Sequence, residues 1–548
     1  MTLLAEVEKW IADDPDPATA QTLREAVARN DLEFLQSCFS GFLEFGTAGL
    51  RGPLGPGPSR MNRAVVSRAA LGLAAFMKTR GLDSIVVGYD ARHGSRQFAE
   101  DTCELMQGAG ITAHLMPREL PTPVLAYAVK ALAVNAGVMV TASHNPPQDN
   151  GYKVYLGGTV DGVKYDGSQI ISPVDSLISM EIDQVDSVMS APREKNWKIV
   201  SEEVINSYIS RTLAALGHRS SDLKVIHTSL HGVGDEVFVA TVSAAGFTNV
   251  ITVAEQAKPD PDFPTVNFPN PEEKGAIDLA IEYAVKHNSE LVIANDPDAD
   301  RCGAAFFDRR LNAWRMLRGD EVGSILGEII ARESKPDTIL ANSIVSSSLL
   351  AKIAKRHNVK FAETLTGFKY LAKIPGLTYG YEEALGYCVD SETVNDKDGI
   401  SAGLKLMMIA HDLKSSHQDL NDLLDEIAIT YGVHLTEQIS IRVDDLSLIT
   451  KVMQHFRNHP LKEVAGLPVI RHDDLLIGSN LPPTDGLRFY TDQARIILRP
   501  SGTEPKLKCY LEIALPPRED LASARAEAES MMKLLSNEIR SLILSAEK

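Results

Sequence analysis

Short apolar segments alternate with helical patterns along most of the chain, and this alternation restricts the possible folds more than any other feature. Segments 84–88, 136–140 and 290–294 have the length and composition of buried strands. Each lies near a stretch with apolar residues at helical spacing. Such units typically form a mostly parallel sheet covered by helices. Because the pattern recurs at 223–245 and 338–357, we predict three successive α/β domains.

About the last hundred residues follow a different pattern. Segments 437–443, 494–498 and 506–514 alternate like half-buried strands, and an amphipathic helix follows from Asp520. This order favours a smaller α+β domain at the end of the chain. At the other end, residues 5–39 are predicted to form two helices separated at 14–17.

Composition excludes several classes of protein. The net charge is −18, so the molecule as a whole repels nucleic acid, and we expect no nucleic-acid partner. No apolar run approaches the roughly 20 residues of a membrane span, and acidic residues follow closely after the N-terminal Met. We therefore expect neither a membrane partner nor a signal peptide. The five cysteines are scattered without a CxxC pair, which is typical of a reducing compartment and predicts a cytoplasmic protein.

An acidic segment follows the apolar strand 291–294 directly. Its carboxylates, Asp296, Asp298 and Asp300, could converge on a hard cation such as Mg²⁺ at the end of that strand. An EF-hand is excluded, because its sixth position would be Arg301 instead of Gly. An ordinary acidic turn remains the alternative.

A second segment, Thr-Ala-Ser-His-Asn-Pro-Pro at 141–147, follows the strand 136–140. Ser143 at such a corner could be an exposed nucleophile or a phosphate carrier, although the Gly-x-Ser-x-Gly frame of α/β-hydrolases is missing. Taken alone, a polar turn is the favoured interpretation. Lys153, ten residues further on, could be a proton shuttle, an anion ligand or a surface charge.

Three further loops carry groups suited to anions or sugars. Residues 499–505 combine an Arg with two hydroxyls and a Gly, which fits an anion nest and a structural turn equally well. The Gly-rich segment 45–52 holds one Arg but lacks the Lys of a Walker A loop, and alone it favours a surface turn. The adjacent acids in 380–386, with Lys397 shortly after, could hold sugar hydroxyls or form a charged loop.

Taken together and in this order, these segments resemble the signature loops of the α-D-phosphohexomutase superfamily of phosphoglucomutases and phosphomannomutases. They read FGTAGLRG, TASHNPPQDNGYKVY, DPDADR, GYEEALGY and RPSGTEPKLKCY and span residues 45–510. Residues 263–273, FPTVNFPNPEE, look most like the phosphoglucomutase-2-type branch. The resemblance implies three related α/β domains and a smaller C-terminal α+β domain around a central cleft. We place them at 1–205, 206–318, 319–433 and 434–548.

The resemblance also implies a role for individual residues. Ser143 matches the phosphoserine, and Asp296, Asp298 and Asp300 match the Mg²⁺ ligands, with an oxygen of the Ser143 phosphate as the fourth ligand. The catalytic candidates are Ser143, His144, Lys153 as general acid or base, and Arg51. The substrate-binding candidates are Arg301, Thr366, Glu382 for sugar hydroxyls, Lys397, and Arg499, Ser501, Gly502 and Thr503 for the phosphate that does not react.

The implied activity is that of an isomerase, an intramolecular phosphotransferase. It would interconvert the 1-phosphate and 6-phosphate of glucose or mannose through the phosphoserine and a bisphosphorylated sugar, which also acts as activator. The bisphosphorylated sugar must reorient so that its other phosphate faces Ser143, and this requires two anion sites. A phosphoserine hydrolase would not need the second anion site, so its presence argues against that function. Three further functions stay open: a phosphopentomutase, a glucose-1,6-bisphosphate synthase and a non-enzymatic phosphosugar-binding protein.

One departure from the family pattern concerns the sugar. The family's Glu-x-Ser loop reads Glu382-Glu383-Ala384 here, so one hydroxyl contact is missing and the preferred sugar stays open. The expected partner is a small phosphosugar, and the expected assembly is a monomer or a homodimer.

Overall fold

The computed structural model describes residues 2–46, 48–443, 446–477, 481–500 and 506–546. Within them the chain forms two compact units. The first contains the residues up to Leu317 with Phe368–Tyr379 and Ala384–Asp412, and the second contains Arg318–Gly367, Gly380–Glu383 and the residues from Leu413 onward. None of the helices in this described part combines the length and the apolar character that a membrane span requires.

The N-terminal segment of the first unit forms α1 (Leu3–Asp13), α2 (Pro17–Ala28) and α3 (Leu32–Cys38). The predicted break at 14–17 is confirmed, because the Asp16 side chain accepts a hydrogen bond from the first turn of α2. The prediction of one helix after that break is wrong. Asn30 takes the left-handed conformation (φ 53°), and Asp31 caps a separate third helix.

The first sheet has the strand order β1-β5-β4-β2-β3-β9, with β8 beside β5. Its strands, and the small hairpin β6–β7, are β1 (Leu50–Pro53), β2 (Ser84–Tyr89), β3 (Thr112–Leu115), β4 (Ala136–Val140), β5 (Asp149–Leu156), β6 (Thr159–Val160), β7 (Val163–Lys164), β8 (Ser168–Gln169) and β9 (Lys198–Ile199). The helices of this region are α4 (Arg63–Thr79), α5 (Ser95–Gly108), α6 (Thr122–Ala131), α7 (Val174–Asp183) and α8 (Glu203–Leu216). Strands β2, β3, β4 and β9 are parallel, and every residue of β4 is buried, as expected of a strand covered on both faces.

The second sheet of the first unit has the order β11-β10-β12-β13-β14. Its elements are β10 (Val225–Thr228), α9 (Asp235–Ala244), β11 (Val250–Thr252), a 3₁₀ helix (Ala254–Gln256), α10 (Asp278–His287), β12 (Leu291–Ala294), β13 (Gly303–Asp308) and β14 (Ala313–Met316). Strands β10, β11 and β12 are parallel, whereas β13 and β14 return antiparallel. The four residues of β12 are buried, so the chain that leaves its carboxyl end starts from a fixed point.

The following part of the chain is again α/β. Its elements are α11 (Gly319–Arg332), β15 (Ile339–Ser343), α12 (Leu349–Arg356), β16 (Lys360–Thr364), α13 (Phe368–Leu371), β17 (Tyr379–Glu382), β18 (Gly386–Cys388), α14 (Gly399–Ser415) and α15 (Leu420–Tyr431). In the second unit β15 pairs in parallel with β16, and α12 connects them. This is the third strand–helix pattern predicted from the sequence.

The second unit ends in an antiparallel sheet of order β19-β25-β24-β23-β22. Its elements are β19 (His434–Arg442), α16 (Leu446–Asn458), the short pair β20 (Glu463–Val464) and β21 (Leu467–Pro468), β22 (Arg471–Asp474), β23 (Leu487–Tyr490), β24 (Ala494–Pro500), β25 (Lys506–Ala514) and α17 (Leu521–Ala546). Ile439, Ile496, Leu511 and Leu535 belong to one buried core that joins the sheet to α17. The predicted change from α/β to α+β is confirmed, whereas the predicted domain limits and central cleft stay predictions.

Candidate active site

The acidic loop begins directly after β12, at the carboxyl end of the parallel strands of its sheet. Oxygens of Asp296, Asp298 and Asp300 lie within 4.8 Å of one another, and all three residues are buried. The Asn295 side chain donates to the Arg301 carbonyl oxygen (2.7 Å), which closes the loop. The three carboxylates therefore converge in the structure, as the sequence predicts.

Two oxygens of this cluster have the properties of metal ligands. Among the described residues, Asp298 Oδ1 and Asp300 Oδ1 are buried and accept no hydrogen bond. A buried carboxylate oxygen without a partner is costly, and a hard cation with oxygen ligands relieves that cost. The donor set therefore fits Mg²⁺.

The serine loop follows β4 and brings the predicted nucleophile to this cluster. Ser143 Oγ donates to Asp296 Oδ2 at 2.6 Å and lies 3.1 Å from His144 Nδ1. The Ser143 backbone is left-handed (φ 52°), and its N–H donates to Thr141 Oγ1 at 2.9 Å. Two segments separated by 153 positions thus place a buried hydroxyl against a carboxylate.

Cationic side chains from two other segments contact the acids, and the acidic loop adds a backbone donor of its own. Lys153 Nζ on β5 lies 2.7 Å from Asp298 Oδ2 and 3.0 Å from Asp300 Oδ2, and Lys397 Nζ lies 2.8 Å from that same Asp300 oxygen. The Arg301 N–H donates to Asp296 Oδ1 at 3.0 Å. Lys153 and Lys397, both predicted site residues, therefore lie in direct contact with the acids.

The Gly-rich loop and the segment after Lys397 contribute in different ways. Arg51 on β1 donates from Nη1 to Asn145 Oδ1 (3.2 Å), so the predicted Gly-rich loop contacts the serine loop. Gly399 packs against the acidic loop so closely that a Cβ would lie 2.1 Å from the Arg301 carbonyl oxygen. Only glycine fits there, and this contact fixes the start of α14 beside the acids.

Burial and neighbouring charges together raise the pKa values of Asp296 and Lys153 and lower the pKa of His144. Burial, together with Asp298 and Asp300, raises the pKa of Asp296 well above its usual range. Burial opposes a charged Lys153, but the two carboxylates it contacts raise its pKa above the ordinary value. Burial, with Arg301 and Arg51 nearby, lowers the pKa of His144 well below its ordinary value. His144 is therefore a neutral hydrogen-bond partner of Ser143, and Lys153 is an ammonium ion.

The second unit holds the other predicted site residues. Glu382, at the end of β17, accepts a hydrogen bond from the Gly367 N–H at 2.6 Å, so the loop that carries Thr366 lies against it. Arg499 lies on β24 opposite Lys508 of β25. The predicted phosphate contacts Ser501, Gly502 and Thr503 lie outside the described residues.

Glu383, next to Glu382, is held by two serines. Its Oε2 accepts from Ser346 Oγ at 3.1 Å and from Ser343 Oγ at 3.3 Å. Burial, then the neighbouring Glu382 and Asp320, raise the pKa of Glu383 to about 7.

Two residues of the first unit were not predicted. Thr122, the first residue of α6, donates from Oγ1 to Asp298 Oδ2 at 2.6 Å and from its N–H to the Asp298 carbonyl oxygen at 2.9 Å. Arg92, three residues after β2, donates to backbone carbonyls of the serine loop. A charged residue just beyond a buried strand is a sequence signal for Arg92, whereas nothing in the sequence links Thr122 to Asp298.

Comparison with known proteins gives a consistent result over most of the chain. The family models for phosphoglucomutase/phosphomannomutase match at residues 43–186 (alpha/beta/alpha domain I), 206–308 (domain II), 318–431 (domain III) and 439–529 (C-terminal domain). These descriptions agree with the three α/β regions and the final antiparallel sheet.

Individual relatives match over most of their length. A "Probable phosphomannomutase" of Haemophilus influenzae is 49% identical over 460 residues, which are 82% of this chain and 93% of that protein. The human phosphopentomutase is 34% identical over 574 residues, 93% of this chain and 91% of that protein. The crystal structure of a phosphoglucomutase/phosphomannomutase family protein from Burkholderia thailandensis has a TM-score of 0.70 at 18% identity and covers 92% of this chain and 97% of its own. This last match shows a shared fold.

Proposed function

This chain belongs to the phosphoglucomutase/phosphomannomutase family, and on that premise we propose that it interconverts the 1-phosphate and 6-phosphate of glucose or mannose. Members of the family are intramolecular phosphotransferases, so the chain is an isomerase of that class. The family resemblance, the fold class and the enzyme class predicted from the sequence are confirmed.

The observation that carries the proposal is the position of Ser143. Its Oγ lies 2.6 Å from Asp296 Oδ2, in a cluster of three buried acids with Lys153 and Lys397 beside them. A phosphoryl group on this oxygen would meet cationic side chains, and a hydroxyl placed in this way is suited to form and release a phosphoester. We assign Ser143 as the residue that carries the phosphate.

We propose that Asp296, Asp298 and Asp300 hold Mg²⁺ together with an oxygen of the Ser143 phosphate. The two buried carboxylate oxygens without a hydrogen-bond donor support this assignment. When bound, Mg²⁺ would neutralise charge on the phosphate oxygens.

The chain's own residues divide the remaining tasks. Lys153 holds a proton at Nζ and would act as the general acid, and after losing that proton as the general base, for the sugar oxygen. Arg51, Arg301 and Lys397 would bind the oxygens of the transferred phosphoryl group. Neutral His144 would orient the Ser143 side chain through its Nδ1.

The groups of the second unit would bind the rest of the substrate. Glu382 and Thr366 would contact sugar hydroxyls, and Arg499 with Ser501, Gly502 and Thr503 would bind the phosphate that does not react. Because the bisphosphorylated intermediate can leave before the second transfer, a sugar bisphosphate would reactivate enzyme that has lost its phosphate. We therefore propose glucose 1,6-bisphosphate or a similar compound as activator.

A coupled isomerisation assay tests this function. The purified chain, with Mg²⁺ and a catalytic amount of glucose 1,6-bisphosphate, should convert glucose 1-phosphate and mannose 1-phosphate to the 6-phosphates. Excess chelator should abolish turnover and added Mg²⁺ should restore it. Ser143→Ala should be inactive, whereas Ser67→Ala should turn over normally, since Ser67 is also buried but contacts Arg193. Turnover in Ser143→Ala, or none by the wild type, would contradict the proposal.

A phosphopentomutase is the second candidate. The 34% identical human relative and the alanine at position 384 favour it. Ribose 1-phosphate in the same assay decides between them, because the first proposal expects faster turnover of a hexose phosphate.

The setting of the enzyme is part of the proposal. We propose a cytoplasmic location, which five unpaired and buried cysteines support within the described chain. The oligomeric state, monomer or homodimer, stays a prediction.

A further inference from the structure

Arg92 is a buried arginine beside Ser143 to which the proposed mechanism gives no task. Only 4% of the residue is exposed. Its guanidinium donates to the carbonyl oxygens of Ser143 (2.7 Å), Asn145, Pro146 (2.7 Å) and Asp149 (3.0 Å). One side chain thus binds three carbonyls of the serine loop and one at the start of β5.

The serine loop has a backbone that needs such contacts. Ser143 has a φ of 52°, in the left-handed region that residues with a Cβ rarely occupy. A conformation of this kind persists only where the surroundings impose it, and it is often found at functional sites. Arg92 binds the carbonyl oxygen of Ser143 itself and three carbonyls just after it, so it fixes the backbone from which the Oγ projects toward Asp296.

Arg92 is itself held from two directions. The Asp90 carboxylate lies 3.5 Å from Nε and also accepts from the Arg92 N–H at 3.0 Å. The ring of Phe263 lies against the guanidinium, with 5.0 Å between Cζ and the ring centre. Phe263 is 2% exposed and also left-handed (φ 47°), which is unusual for a bulky residue.

Phe263 belongs to the segment FPTVNFPNPEE, which the proposed mechanism leaves without a task. Its neighbour Asp262 lies 2.8 Å from His93, the residue after Arg92. Further along, Glu272 lies 3.9 Å from Arg301 of the acidic loop. The segment therefore contacts both the arginine that binds the serine loop and the loop that carries the acids.

We propose that Arg92 is a positioning residue that holds Ser143 in the conformation required for phosphoryl transfer, with Phe263 fixing the guanidinium. The inference rests on the proposed role of Ser143 as phosphate carrier. Because Arg92 donates to backbone carbonyls around Ser143, its loss should impair transfer to and from Ser143 more than substrate binding. Misplacing a reacting group by about 1 Å can cost on the order of a hundredfold in rate.

The test uses Arg92→Lys, with Arg96→Lys as the matched control. Arg96 lies on α5 nearby, is exposed and pairs with Glu100 of the same helix. A lysine keeps the charge of Arg92 but cannot bind four carbonyls at once. We expect kcat to fall at least tenfold and KM to stay within about threefold. The dissociation constant of Mn²⁺, used as the probe ion for the proposed Mg²⁺ site, should be unchanged. The control should match the wild type in all three values.

A single-turnover experiment separates positioning from a merely structural role. Enzyme phosphorylated on Ser143 is mixed with excess glucose 1-phosphate. The rate at which Ser143 loses its phosphate is measured and divided by the amount of enzyme phosphorylated at the start. We expect Arg92→Lys to lose it at least tenfold more slowly than the wild type. An unchanged rate would overturn the inference, as would a slower rate accompanied by equally weakened Mn²⁺ and substrate binding.

Phe263→Leu keeps the inference testable if Arg92→Lys does not fold. It removes the ring but leaves the four hydrogen bonds in place, so we expect a threefold to tenfold fall in kcat at unchanged KM. A normal kcat in this variant would overturn the role given to Phe263 and, without a folded Arg92→Lys, the inference itself. Failure of the wild type to phosphorylate Ser143 would instead refute the proposed function.

Discussion

Replacing Thr122 with valine should weaken metal binding, although Thr122 is not a predicted ligand. Its hydroxyl donates to Asp298 Oδ2 at 2.6 Å, and valine keeps the shape of the side chain without the donor. The Thr122 N–H still donates to the Asp298 carbonyl oxygen at 2.9 Å, so the backbone contact remains. The substitution therefore removes a single hydrogen bond to a carboxylate.

The size of the effect follows from what remains around that oxygen. A hydrogen bond to a charged group contributes about 1.5–3 kcal/mol, and partners behind a metal ligand affect metal affinity by about 10–100-fold. Lys153 donates to the same oxygen at 2.7 Å and compensates for part of the loss. We therefore expect the lower end, about a tenfold increase in the dissociation constant.

Titration with Mn²⁺ followed by electron paramagnetic resonance, or with Mg²⁺ by calorimetry, measures this constant without turnover. Thr102→Val is the matched control, because Thr102 is also buried on a helix but donates to the Phe98 carbonyl oxygen within its own helix. The control should bind the metal like the wild type. An unchanged dissociation constant in Thr122→Val would refute the role of this hydrogen bond.

Three further substitutions concern strand β24 and the segment 380–386. Arg499→Ala should lower kcat/KM for isomerisation about 10–100-fold while Ser143 is still phosphorylated, because the substitution removes the proposed charge-assisted contact to the distal phosphate. An unchanged kcat/KM would place that phosphate elsewhere. Ala384→Ser should raise kcat/KM for glucose 1-phosphate relative to ribose 1-phosphate, and an unchanged ratio would show that this loop does not set the specificity. Glu383→Gln should flatten the pH dependence of stability. With its pKa raised to about 7, folded Glu383 binds more protons than the unfolded chain between about pH 4.5 and 7. The free energy of unfolding of the wild type should therefore fall by up to about 3 kcal/mol as pH rises through that window. Denaturant unfolding at a series of pH values measures this, and the same pH dependence in both proteins would contradict the prediction.

The parts of the site that the sequence predicts are those at the ends of buried strands. Asp296 and Ser143 each follow an apolar strand, and the carboxyl ends of parallel strands are where α/β sheets bind ligands. Period and composition locate such strands, so the acidic and serine loops could be found without the structure. The 2.6 Å contact between Ser143 Oγ and Asp296 Oδ2 could not be predicted, because no local pattern in a single sequence fixes a contact over 153 positions.

The two site residues that the sequence did not reveal, Arg92 and Thr122, bind main-chain atoms or partners that are distant in sequence. Arg92 binds main-chain carbonyls, which leave no trace in the identity of the residues that supply them. Thr122 meets Asp298 across 176 positions. The third N-terminal helix was missed for a local reason, since the turn at Asn30-Asp31 lacks the two prolines that mark the earlier break.

Transfer of a labelled phosphate through Ser143 tests the central claim most directly. The wild type is incubated with glucose 1,6-bisphosphate labelled with ³²P, freed of small molecules, digested and mapped by mass spectrometry. A second portion is treated with unlabelled glucose 1-phosphate before digestion. We predict one labelled phosphate on Ser143 in the first portion and its appearance in sugar phosphate in the second. Label on another residue, equal labelling of Ser143→Ala, or loss of the label to water as inorganic phosphate would contradict the account.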